Sequence, residues 1–176
     1  MTIETERLVL RLPRLEDAEG AAEYLADPDV MRFLGGETVP RDAAADVVRT
    51  WLERWEQNGL GHFAIERRSD GRFLGRAGIN VWDARDWTRT TLAEAGPYAR
   101  PELGWTLIRA YWGKGYATEA ALAIRDWTRA RGFNHLISLI APDNVASQRV
   151  AERLRAWRTD RVRLVDSGDA DIWVHP

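Results

Sequence analysis

Glu102-Leu-Gly-Trp-Thr-Leu-Ile-Arg109, then Ala110-Tyr-Trp-Gly-Lys-Gly-Tyr-Ala-Thr-Glu-Ala120, then Ala121 to Gly132, is the stretch around which the chain is organised. Its first part alternates and favours a strand, and its middle carries Gly113 and Gly115. Its last part has helical spacing, with Ala117, Ala120, Ala121, Ile124 and Trp127 on one stripe and Gly132 where a helix stops. A strand feeding a Gly-rich turn that opens a helix makes an anion site. Free backbone N–H groups converge there, the helix dipole adds partial positive charge, and glycine lets a phosphate approach. Lys114 supplies a further positive charge, so the loop reads as a pyrophosphate cradle. A P-loop needs Ser or Thr directly after the Lys, where Gly115 stands, and a dinucleotide fingerprint needs a third Gly where Thr118 stands.

Around this stretch the chain alternates between the two periods. Glu6 to Leu12 reads as a strand, Leu15 to Leu25 as a helix, and Pro40 to Gln57 as a second helix closed by Asn58-Gly59. His62 to Arg67 and Phe73 to Val81 form a hairpin about Ser69-Asp70-Gly71. After the organising unit, His135 to Ile140 reads as a buried strand. A helix follows with Ala146, Val150, Ala151, Leu154 and Trp157 on its inner stripe. Arg161 to Val165 and Asp171 to His175 close the chain as two strands. The order is neither strict βα alternation nor all-β, so the fold class is α+β, mixed. A single domain spans residues 1–176.

Composition narrows the function. Net charge is −2, which gives no sign of nucleic-acid binding, and no apolar run approaches the roughly 20 residues of a membrane span. With no Cys there is no thiolate nucleophile and no Cys-based zinc site. His62, His135 and His175 lack metal spacing, so no metal is expected. A cytoplasmic location is expected.

The run Trp112-Gly-Lys-Gly-Tyr-Ala117 resembles the acyl-CoA loop of the GNAT N-acetyltransferase superfamily, although Trp112 departs from its usual Gln or Arg. The longer run from Tyr111 to Ala120 is similar to the form found in the ribosomal-protein N-terminal acetyltransferase branch. Asn144-Val-Ala-Ser147 resembles that branch's Asn-x-x-Ser segment; by itself it also reads as a helix N-cap. The resemblance implies a largely antiparallel twisted sheet of about six to seven strands with about four helices. It implies acetyl-CoA as cosubstrate, bound by Trp105, Thr106, Leu107, Trp112, Gly113, Lys114, Gly115, Tyr116, Ala117, Thr118, Asn144 and Ser147. The partner is a primary amine, on a protein N-terminus or a small molecule, and the protein is a monomer or homodimer.

Transfer from a thioester to an amine needs a neutral amine, an N–H donor for the oxyanion and a proton for the leaving thiolate. A backbone N–H of Trp105-Thr106-Leu107 suits the second need and Ser147 the third. Glu102 and Asp166 are candidate bases. Arg155 stands where the resembling family often has Gly, so the helix before it is expected to end differently. The polar excursion from Asp83 to Pro101 reads as a lid over the acceptor, with Asp83, Asp86 and Glu94 to hold a cationic amine, or as a disordered loop. An inactive acyl-CoA-binding module is the alternative to an enzyme.

Overall fold

A computed structural model describes residues 1–165 and 167–176, so Asp166 lies outside the described residues. Among the described residues eight strands form one sheet in the order β1-β2-β3-β4-β5-β6-β8-β7. They are β1 (Thr2–Glu4), β2 (Leu8–Arg11), β3 (His62–Arg67), β4 (Phe73–Asp83), β5 (Ala99–Leu107), β6 (Ile137–Ile140), β7 (Trp157–Leu164) and β8 (Gly168–Val174). All neighbours are antiparallel except β5 and β6. The helices are α1 (Asp17–Leu25), α2 (Pro28–Met31), α3 (Ala44–Asn58), α4 (Leu92–Ala95), α5 (Tyr116–Arg129) and α6 (Val145–Arg153). The mixed fold read from the pattern is present. The added elements are the short β1 and two single-turn helices, α2 and α4.

Alternation sorts the residues of β4 and β5 between two faces. Ala77, Ile79 and Leu103 join Leu8, Leu10, Phe63 and Ile65 in the core beneath Ala120, Ala121 and Ile124 of α5. On the opposite face α1 and α3 pack together through Ala21, Tyr24, Leu25, Val48 and Trp51. Phe63 meets Trp55 and Trp127 edge-on at centroid distances of 4.8 and 5.3 Å, a geometry that aligns ring edge and ring face.

Two segments depart from the sequence pattern. Trp157 is not on the last helix stripe; it opens β7 and is half exposed. The helix ends at Arg153, in a motif where Arg155 N–H donates to Glu152 C=O and Ala156 N–H donates to Ala151 C=O. Arg155 takes φ +60° to make that turn, so the left-handed ending occurs despite its side chain. His135 likewise lies before its strand, which starts at Ile137.

The excursion after β4 is folded. Trp87 N–H closes a turn onto Asp83 C=O, Thr90 N–H bonds Val81 C=O, and Ala84 N–H bonds Tyr98 C=O. Thr91 and Glu94 form a capping box for α4, and Leu92 N–H is held by the Asn58 side chain at 2.8 Å. Its acids are satisfied locally: Asp83 by Arg85, Asp86 by Thr88, Glu94 by Thr90 and Thr91. They do not reach the cavity described below, so the cationic-amine role drawn for them falls away.

Candidate active site

The site follows from one register point. β5 and β6 pair in parallel only at Glu102↔Ile137. One residue further, the Ser138 hydroxyl donates to Leu103 C=O at 2.6 Å. Beyond that bond β5 keeps β4 on one side through Leu107 and, among the described residues, has no strand on the other. Backbone direction alternates along an antiparallel strand. Because Leu103 C=O faces β6, the N–H groups of Trp105 and Leu107 also face the gap, and that of Thr106 faces β4. The gap opens a cavity of about 370 Å³ that reaches both faces of the sheet.

On the α5 face the cavity is walled by Trp112, Gly113, Gly115, Tyr116, Ala117 and Thr118. Gly113 and Gly115 adopt φ of +73° and +82°, the left-handed conformation that lets the loop turn into the helix. The first α5 ladder bond runs from Glu119 N–H to Gly115 C=O, so the preceding amides point out of the helix end. Thr118 Oγ1 is buried with no hydrogen-bond partner among the described residues. An oxygen-rich anion supplies what those N–H groups and that hydroxyl lack, so the cradle fits a pyrophosphate. Lys114 is not part of it: its Nζ donates to Ala110 C=O at 2.9 Å, and it does not line the cavity. The loop is braced from outside by Arg7, which donates to Lys114 C=O and to Glu119 and lies over the Tyr116 ring.

α6 forms the second wall. Asn144 caps it, with Oδ1 accepting from Ser147 N–H at 3.1 Å, and both side chains line the cavity. The N-cap and the cavity-lining position therefore hold together. Arg149 and Arg153 add guanidinium groups to this wall.

On the α1/α3 face the lining includes Arg76, Asn80, Trp82, Arg89 and Glu102. Glu102 is buried, and one of its oxygens, Oε2, accepts from Asn80 Nδ2 at 2.7 Å and from Trp82 Nε1 at 3.2 Å. Oε1 lies where a Cβ on Gly104 would come within 3.0 Å, so Gly104 keeps that oxygen clear. Arg76 is gripped by His62, whose Nε2 lies 2.7 Å from Nη1. Burial pushes His62 well below its ordinary pKa, and Arg76, Arg89 and Arg54 add to that, so the imidazole is neutral and accepts from Arg76. Burial raises the Tyr24 phenol to about 12, opposed by Arg76. Arg54 is lowered by burial and by its neighbours Arg89 and Arg76.

The structure thus brings Glu102, Trp105, Thr106, Leu107, Trp112, Gly113, Gly115, Tyr116, Ala117, Thr118, Asn144 and Ser147 to one cavity and leaves Lys114 out. The pattern did not single out Arg76, Arg89, Arg149 or Arg153. Strand parity puts Arg76 on the face of Asn80 and Trp82, and i,i+4 spacing puts Arg149 and Arg153 on one face of α6.

The split sheet thus sets an anion cradle on one face against a buried carboxylate on the other. The Acetyltransferase (GNAT) domain family matches residues 7–156, and the chain belongs to that family of acetyl-CoA-dependent enzymes. The Bacillus subtilis protein YkkB is 34% identical over 155 residues, which cover 85% of this chain and 81% of YkkB. An acetyltransferase from Agrobacterium tumefaciens strain C58 superposes with a TM-score of 0.79 at 28% identity, covering 100% of this chain and 94% of that one. A Salmonella typhimurium acetyl transferase that modifies the N-terminal serine of 50S ribosomal subunit protein L7/L12 superposes with a TM-score of 0.78, covering 99% and 98%. At 14% identity, that likeness is one of fold.

Proposed function

We propose that the protein moves the acetyl group of acetyl-CoA directly onto a primary amine held on the α1/α3 face. One observation carries this: a single cavity joins the α5 amides, the β5/β6 gap and the Glu102 carboxylate. Trp112, Gly113, Gly115, Tyr116, Ala117 and Thr118 hold the pyrophosphate, and the gap takes the pantetheine arm past Trp105, Thr106, Leu107 and Asn144. The Trp105 N–H, turned into the gap, stabilises the oxyanion formed when the amine attacks the thioester carbonyl. Glu102 takes the amine proton, directly or through a water, as the C–N bond forms. When the C–S bond breaks, Ser147 gives the sulfur a proton that solvent replaces. No acyl-enzyme on cysteine is available, because the chain has no Cys.

The test is acetyl-CoA with a panel of primary amines, followed by free-thiol release and by the mass of the amide. Amine-dependent thiol release is expected. Tight CoA binding with no release for any amine would leave an acyl-CoA-binding module instead.

A further inference from the structure

On the acceptor side of the cavity arginines outnumber carboxylates. Among the described residues Glu102 is the one carboxylate that lines it, and Arg76 and Arg89 stand beside it on the acceptor side. Arg54 on α3 adds a third guanidinium close enough to feel both arginines and Glu102. Arg76 is held by the neutral ring of His62 and lies over Trp51, with its Cζ 5.8 Å from the ring centroid. Arg89 lies over Trp82 at 5.2 Å. These contacts orient the two planes, and those of Arg76 with His62, Trp51 and Tyr24 are all to uncharged side chains. Glu102, in turn, spends one oxygen on Asn80 and Trp82.

We infer that the acceptor carries an anionic group, a carboxylate or a phosphate, a few bonds from its amine, and that Arg76 with Arg89 receives it. This rests on the acetyl-transfer reading above. A guanidinium fork matches a carboxylate or phosphate with paired N–H donors. The same positive surroundings disfavour an ammonium ion, so a bound amine is held in the neutral form that attacks. Polyamines and aminoglycosides, which carry several positive charges and no anion, are selected against.

The test compares acceptors identical except for the anion. Amino acids are set against their amides, and phosphoethanolamine against ethanolamine, with thiol release as the readout; the two arms separate carboxylate from phosphate. In one arm kcat/KM is expected to favour the anionic member by about ten-fold or more, the scale of a charge-assisted hydrogen bond. The ratio should collapse toward one in Arg76→Gln and fall partway in Arg89→Gln, whose exposed position spares the fold. Ratios near one in both arms, or a preference unchanged in both variants, overturn the inference. Calorimetry of N-acetylglycine against N-acetylglycinamide, titrated into the CoA-loaded protein, separates this from a failure of acetyl transfer. With no thiol release for any amine, tighter binding of the anion that is lost in Arg76→Gln still supports the anion site, and equal binding removes it.

Discussion

The hydroxyl of Ser138 stands between two strands that have just parted, donating to Leu103 C=O at 2.6 Å with His175 Nε2 2.9 Å away. Having given its one proton to Leu103, Ser138 accepts from His175, which fixes the Nε2–H tautomer. That leaves Nδ1 buried without a partner among the described residues. The bond replaces a ladder contact at the apex of the gap.

Ser138→Ala therefore strands a carbonyl and an imidazole N–H in the core. A loss of about 2 kcal/mol in unfolding free energy is expected from urea titration. An unchanged midpoint would mean that the apex is held by the surrounding packing alone.

His175 also makes stability depend on pH. Burial, reinforced by Arg125, lowers its pKa from 6.5 to about 4. The unfolded chain takes this proton below pH 6.5 and the folded chain refuses it until about 4, so stability is full above 6.5 and falls as pH drops across that window. The fall attributable to His175 is up to about 3 kcal/mol. His62 is shifted in the same direction. Urea midpoints measured from pH 7.5 to 4.5 should slope downward, and His175→Asn should flatten the slope.

The unpartnered hydroxyl of Thr118 gives a prediction with opposed signs. Thr118→Val keeps the shape and deletes a buried oxygen with no bond, so the free protein gains about 1 kcal/mol. CoA affinity by calorimetry should drop by about ten-fold, the scale of one hydrogen bond to a charged group. A variant that is more stable and binds CoA as well as the parent removes Thr118 from the cradle.

Arg155 adopts φ +60° at the end of α6, where a side chain costs about 1 kcal/mol and glycine costs less. Arg155→Gly is expected to raise the unfolding free energy by up to about 1 kcal/mol, read from chemical denaturation. A fall would show that the arginine side chain contributes more than its backbone costs.

What could be read from the sequence was local. The cradle was legible because strand, glycines and helix start are contiguous, and single residues exclude the other phosphate loops, Gly115 a P-loop and Thr118 a dinucleotide site. The order in the excursion after β4 has local signals too: Asp83 two before Arg85, Asp86 two before Thr88, and Thr91 three before Glu94 each announce a self-satisfied turn, which takes these acids away from a bound amine. The arginine cluster was out of reach. Arg76 meets His62 from β3, Tyr24 from α1 and Trp51 from α3, and no periodicity announces contacts between separate elements. The spacing of Trp157 suits the helix stripe, while the Arg155 turn that ends the helix has no glycine to mark it.

Glu102 is the residue on which the chemistry is most exposed to test. In Glu102→Gln the amide oxygen can accept from Asn80 and Trp82 as Oε2 does now, and the NH₂ takes the place of Oε1. The fold and the CoA cradle, which lies across the sheet, should therefore be preserved, and urea unfolding and CoA calorimetry check this. Only the capacity to take a proton is lost. A roughly 100-fold fall in kcat is expected for a general base, with acetyl-CoA affinity unchanged. Ser147→Ala gives the contrast, since it removes a proton from the sulfur side and leaves Glu102 in place. A Glu102→Gln enzyme with undiminished kcat would move the base elsewhere and leave Glu102 as the anchor that Asn80 and Trp82 use to hold the α1/α3 face of β5.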